Sequence, residues 1–112
     1  MAKVVITKTL EEEINKKFRQ ESVEVLSLMR TLEDSPKKGK EVGVVGRVLI
    51  KEIKYKKFRF YFITDGYKIK FLEADELRNL LIKFVRMSEK KDQQKTIGEI
   101  KYVLRSLGEE GF

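Results

Sequence analysis

The sequence contains no cysteine and no histidine. The first absence removes disulfides, thiolate metal sites and a cysteine nucleophile. The second removes a Ser-His-Asp triad, an imidazole general base and most zinc chemistry. No apolar run approaches the roughly 18 residues of a membrane span, and the N-terminus lacks the apolar stretch of a signal peptide. A soluble, cytoplasmic chain with no membrane partner is expected. With 112 residues, 41% hydrophobic and 38% charged, one packed core fits and two do not, so a single domain over residues 1–112 is expected.

Positive charge is what the chain has in excess, with 25 Lys and Arg against 18 Asp and Glu. The excess sits in one stretch. Residues 37–70 hold 11 basic and 3 acidic side chains, while the flanking thirds are close to balance. A polyanion suits such a patch, whether RNA, DNA or an acidic protein segment, and so does the alternative of a solvated basic surface that aids solubility.

The order of elements is legible in the residue pattern. Residues 3–8 are short and β-branched, as a strand is. Thr9 and Glu12 have the spacing of a capping box, and Leu10, Ile14 and Phe18 recur on one helical stripe. A second helix carries Val25, Met29 and Leu32 on one side and ends before Pro36, because the residue preceding proline is driven from helical space. Residues 36–46, with three glycines and a lysine cluster, read as a flexible connector. Residues 47–55 and 58–64 read as strands joined at Lys56-Lys57. Asp65-Gly66 has the signature of a two-residue hairpin turn, which makes 67–72 a third strand. A short turn or helix over 74–79 and a strand at about 80–87 follow, with helix and strand both open for 74–87. The last helix starts near Asp92, carries Ile97, Ile100, Leu104 and Leu107, and stops at Gly108.

Alternation along the strands divides the sheet into two faces. Leu49, Ile53, Tyr55, Phe58, Phe60, Phe62, Tyr67, Ile69 and Phe71 form the core face, with Lys51 as an exception. Glu52, Lys54, Arg59, Tyr61, Lys68 and Lys70 fall on the opposite face. If Lys56-Lys57 is a two-residue turn, Lys54 pairs with Arg59 and Glu52 with Tyr61; if Asp65-Gly66 is another, Tyr61 pairs with Lys70 and Ile63 with Lys68. On that register Lys54, Arg59 and Lys70 gather on one outer surface.

The order strand, two helices, three or four strands and a terminal helix is similar to that of the RelE/ParE superfamily of type II toxin–antitoxin toxins. The residues that carry the resemblance are Ser35-Pro36-Lys37-Lys38-Gly39, then Leu49-Ile50-Lys51-Glu52-Ile53-Lys54 leading into Phe58-Arg59-Phe60-Tyr61-Phe62, and the junction Ser88-Glu89-Lys90-Lys91-Asp92-Gln93-Gln94-Lys95-Thr96-Ile97. The resemblance implies an α+β, RelE-like fold, β-α-α-β-β-β(-β)-α, with an antiparallel sheet packed against helices on one face. It also implies a ribosome-dependent mRNA interferase, an endoribonuclease that directs the 2′-hydroxyl at the adjacent phosphate and needs neither cofactor nor metal. The partners implied are the ribosome, mRNA and an antitoxin protein that is acidic over its wrapping segment. Relatives of the ParE kind poison gyrase and others are catalytically inactive, so a gyrase inhibitor or a binding-only member is the alternative. The family often places a Tyr or His near the last helix; here Tyr102 stands late in it.

In that frame Arg59 is the candidate for stabilising phosphate charge, since a guanidinium fork matches phosphate oxygens, and Lys54 is the candidate proton-transfer group. Tyr61 is placed to stack on a base. Lys68, Lys70, Arg86, Lys90 and Lys91 are candidate phosphate contacts, and Gln94 either reads a base edge or caps the helix. Each has a plainer alternative: Arg59 as a cross-strand partner of Glu52 or Asp75, Lys54 as a surface lysine, Tyr61 as a packing residue, and the other cations as general attraction to RNA.

Overall fold

A computed structural model describes residues Met1–Phe112. The strands are β1 (Lys3–Ile6), β2 (Lys40–Val45), β3 (Val48–Tyr55), β4 (Phe58–Asp65) and β5 (Leu81–Glu89). The helices are α1 (Lys8–Phe18), α2 (Ser22–Arg30), α3 (Gly66–Phe71) and α4 (Gln93–Leu107). One sheet holds all five strands in the order β1-β5-β4-β3-β2. Every pairing is antiparallel except β1 with β5, which run parallel, so the sheet is mixed rather than antiparallel throughout. No helix is long and apolar enough to cross a membrane.

The α1–α2 pair forms where the apolar stripe placed it. Leu10 and Ile14 of α1 and Val25 and Met29 of α2 are buried. They pack on Ile53, Phe60, Phe62, Ile82 and Phe84 from one side of the sheet. The cap lies earlier than expected: Leu10 N–H donates to Thr7 Oγ1 at 3.3 Å, so Thr7 and not Thr9 opens the helix. Thr7 follows directly from β1 and donates its own N–H to Phe84 O at 3.1 Å, which fixes the turn from strand to helix.

The β3–β4 hairpin has the expected register, with Lys54 opposite Arg59 and Glu52 opposite Tyr61. Lys56-Lys57 makes a two-residue turn although neither residue favours positive φ; only Lys56 takes it, at 53°. Side chains hold this turn. The Lys56 ammonium is 3.1 Å from Glu21 Oε1 and lies over the Tyr55 ring, and Lys57 Nζ is 3.1 Å from Glu89 Oε1.

Three further expectations fail. Asp65-Gly66 is no hairpin: Asp65 caps α3, accepting from the N–H groups of Tyr67 and Lys68 at 2.9 and 3.1 Å. The neighbour of β4 is therefore β5, with Tyr61 opposite Arg86 and Ile63 opposite Lys83. The connector contains the edge strand β2, whose pairing slips at Val42 and so escapes a period-of-two reading. Finally, helices cover both faces of the sheet. Ile97, Ile100 and Leu104 of α4 bury Ile50, Tyr61, Ile63 and Val85 in a second apolar cluster on the side opposite α1 and α2. The face taken as outer and basic is largely a core face.

Candidate anion cleft at the sheet edge

The start of β2 leaves a gap. Its pairing with β3 begins at Lys40 opposite Glu52, so Ile53, Lys54 and Tyr55 run on beyond it. Leu28 of α2 and the residues Lys38, Gly39 and Lys40 border this gap. The result is a cleft of about 450 Å³ lined by Leu28, Lys38, Gly39, Lys40, Glu52, Ile53, Lys54 and Arg59. Four of its eight residues are cationic and one is acidic, a composition suited to a phosphate.

Arg59 is 7% exposed. Its Nε lies 3.4 Å from Glu52 Oε2, and its terminal nitrogen donates to the Phe58 and Lys56 carbonyls at 3.1 and 3.4 Å. Glu52 is buried too and accepts a hydrogen bond from Gln93 at the start of α4. The carboxylate thus stands between two donors and fixes the guanidinium at the cleft wall. Lys54 is exposed, opposite Arg59, and faces the same cleft without an ion-pair partner.

The junction before α4 docks at this end of the sheet. Lys90 N–H donates to Lys57 O at 2.9 Å, which sets the turn Lys90–Asp92 beside the β3–β4 hairpin tip. Lys90 and Lys91 are exposed there, and Lys91 Nζ stands 3.9 Å from Glu89. Hydrogen bonding from Lys57, reinforced by its charge, holds the Glu89 carboxyl below the ordinary carboxylate range.

The remaining expected contacts are elsewhere. Tyr61 is fully buried beneath α4, its hydroxyl 2.8 Å from Ser88 Oγ; burial pushes the phenol up, and no ring face is open to a base. Lys68 and Lys70 ride on α3 instead of a strand. Arg59 and Asp65 lie six positions apart on β4, about 20 Å at strand rise, so these two lysines belong to the opposite end of the sheet. Lys70 there stands over the Phe71 ring. Arg86, on β5, lies over the Phe112 ring at 5.0 Å and donates to the Val85 carbonyl. Gln94 is exposed, and Gln93 next to it makes the contact to Glu52.

Lys38 and Lys40 are the cleft residues that strand alternation did not single out. Their signal is the run Lys37-Lys38-Gly39-Lys40, three cations around a glycine, where a loop must turn tightly against the sheet. No protein-family model, curated protein or solved structure matches this chain.

Proposed function

We propose that this chain is a RelE-like toxin of a type II toxin–antitoxin pair, acting in the cytoplasm as a ribosome-dependent mRNA endonuclease. The observation that carries the reading is the convergence of Lys38, Lys40, Lys54 and Arg59 on one cleft. The element order and the motifs around Pro36, Arg59 and Lys90 support it.

The chemistry follows from the groups present. RNA supplies its own nucleophile, so the protein must orient the backbone, stabilise charge and move protons. Lys38 and Lys40 hold phosphates flanking the scissile bond. Arg59, fixed by Glu52 and Gln93, stabilises the pentacoordinate phosphate. Solvent water takes the proton of the 2′-hydroxyl as its oxygen bonds to phosphorus, since both oxygens of Glu52 are engaged by Arg59 and Gln93. The bond to the 5′-oxygen breaks, and Lys54 supplies the proton that this oxygen takes. The products are a 2′,3′-cyclic phosphate and a 5′-hydroxyl. An antitoxin with an acidic segment neutralises the protein by occupying the cleft.

One observation favours a second reading, that of a binding-only member of the same fold. The Arg59 guanidinium is committed to Glu52 and two carbonyls, which leaves it less free to follow a developing phosphate charge. Controlled expression with mapping of mRNA 5′ ends, for the wild type and Lys54→Ala, separates the readings. Cuts inside codons that disappear in the variant support the endonuclease. Growth arrest with DNA damage and intact mRNA points to a gyrase inhibitor of the ParE kind, and salt-sensitive RNA binding without toxicity points to the binding-only member.

A further inference from the structure

Lys51 is a charged residue inside an apolar layer. It lies on the face of β3 that looks toward α1 and α2, with Glu41 opposite it on β2 and Phe62 opposite it on β4, and it is only 4% exposed. Burial pulls its pKa down, and the Glu41 carboxylate partly restores it. A methionine would fill this space without losing the hydration of an ammonium. The ammonium makes one hydrogen bond, to the Lys37 carbonyl oxygen at 2.9 Å. That carbonyl belongs to the loop that carries Lys38 and leads into Lys40.

A second contact holds the same loop. Gly39 has φ of +106°, and a Cβ placed there would meet Phe62 Cζ at 3.0 Å and the Glu52 carbonyl oxygen at 3.1 Å. Phe62 is also the ring beneath the Lys51 ammonium, 6.0 Å from it. The loop is therefore held down by Lys51 at Lys37 and by close packing at Gly39, on either side of Lys38.

We propose that Lys51 is a positioning residue for the anion cleft: its bond to the Lys37 carbonyl sets Lys38 on the rim of the cleft that Lys54 and Arg59 also line. The proposal rests on reading that cleft as the RNA-phosphate site. Lys51 itself lines none of the cleft wall and touches no RNA. It trades hydration for the order of a loop whose cations would otherwise sample many positions.

The test is the salt dependence of binding to a short fluorescently labelled oligouridylate, with thermal melting run on each variant. Lys51→Met is expected to remain folded, because its surroundings accept an apolar side chain. Its log–log salt slope is expected to fall in magnitude by about 0.7, the share of the one phosphate contact made by Lys38. In a Lys38→Ala/Lys40→Ala background, Lys51→Met is expected to change nothing more, whereas general loosening of the fold would add to the loss. A slope unchanged in Lys51→Met, while Lys54→Ala still reduces it, overturns the role of Lys51 and leaves the cleft standing. Should the wild type show no salt-dependent binding, or the Lys38→Ala/Lys40→Ala protein bind like the wild type, the cleft reading and this proposal both fall. If Lys51→Met does not fold, Lys51→Leu carries the test, since it too removes the bond to the Lys37 carbonyl. The same loss of slope is expected there, and an unchanged slope contradicts the proposal.

Discussion

Arg59 and Glu52 form a pair whose partners depend on each other for burial. Their side chains are 8% and 7% exposed, so removing one leaves the other charged and nearly out of water. Arg59→Ala is expected to destabilise the protein by about 3–5 kcal/mol, as breakage of a buried ion pair does. Glu52→Gln/Arg59→Met is expected to recover most of that loss, as read by urea denaturation. An inactive Arg59→Ala protein would therefore confound unfolding with lost chemistry. Lys54 is the cleaner probe. It is exposed and forms no ion pair, so Lys54→Ala is expected to stay within about 0.5 kcal/mol of wild-type stability while abolishing cleavage. Strand alternation was enough to pair Lys54 with Arg59, because a two-residue turn leaves a single register. It was not enough to place Tyr61, since alternation states which side of the sheet a residue faces and not what lies over that side.

What lies over it is α4, and at the scale of elements that helix decides most of the difference between expectation and structure. Its stripe of Ile97, Ile100 and Leu104 was plain in the sequence. The surface it would cover was not, because Glu52, Lys54, Arg59, Lys68 and Lys70 mark that side of the strands as polar. Ile100 is fully buried in that second cluster. Ile100→Ala is expected to cost about 2–5 kcal/mol in urea denaturation; a loss near zero would mean that α4 does not dock on the sheet. Asp65-Gly66 misled for a different reason: aspartate serves hairpin turns and helix N-caps alike, and Tyr67-Lys68-Ile69-Lys70-Phe71 alternates as a strand does. The edge of β4 was already claimed by β5, so the segment coiled into α3. Burial alone would raise the Asp65 pKa, but hydrogen bonds from Arg47 and the Lys68 and Tyr67 N–H groups outweigh it, and the carboxyl ends below its ordinary 3.8. A depressed carboxylate contributes stability above its unfolded-state pKa and loses it as pH falls through the folded one. The α3 cap is thus expected to contribute fully at neutral pH, to weaken once pH falls below the ordinary 3.8, and to be lost as pH passes the still lower folded-state value. Asp65→Ala is expected to cost about 1 kcal/mol at pH 7 and almost nothing in strong acid, measured by thermal melting at both values.

Over the whole molecule, the positive excess of residues 37–70 divides between two ends of the sheet. Lys38, Lys40, Lys54 and Arg59 share the cleft, while Arg47, Lys68 and Lys70 stand near α3, with Arg47 bound to Asp65 at 3.1 Å. Net charge was visible in the composition; this division was not, because it depends on β2 stopping short of the hairpin tip and on α3 leaving the sheet. Four cleft cations acting on single-stranded RNA predict a salt slope of about −3 in log affinity against log salt, measured by fluorescence titration. A slope near zero would mean that the cleft does not hold phosphates.

The most direct measurement places the protein with translating ribosomes stalled at a defined codon in the A site and reads the ends of the mRNA fragments. A cut within that codon is expected, with a 2′,3′-cyclic phosphate on the upstream piece, a 5′-hydroxyl on the downstream piece, and loss of the cut with Lys54→Ala. Intact mRNA in the presence of bound, folded protein, or an upstream fragment ending in a 3′-hydroxyl, would contradict the endonuclease reading.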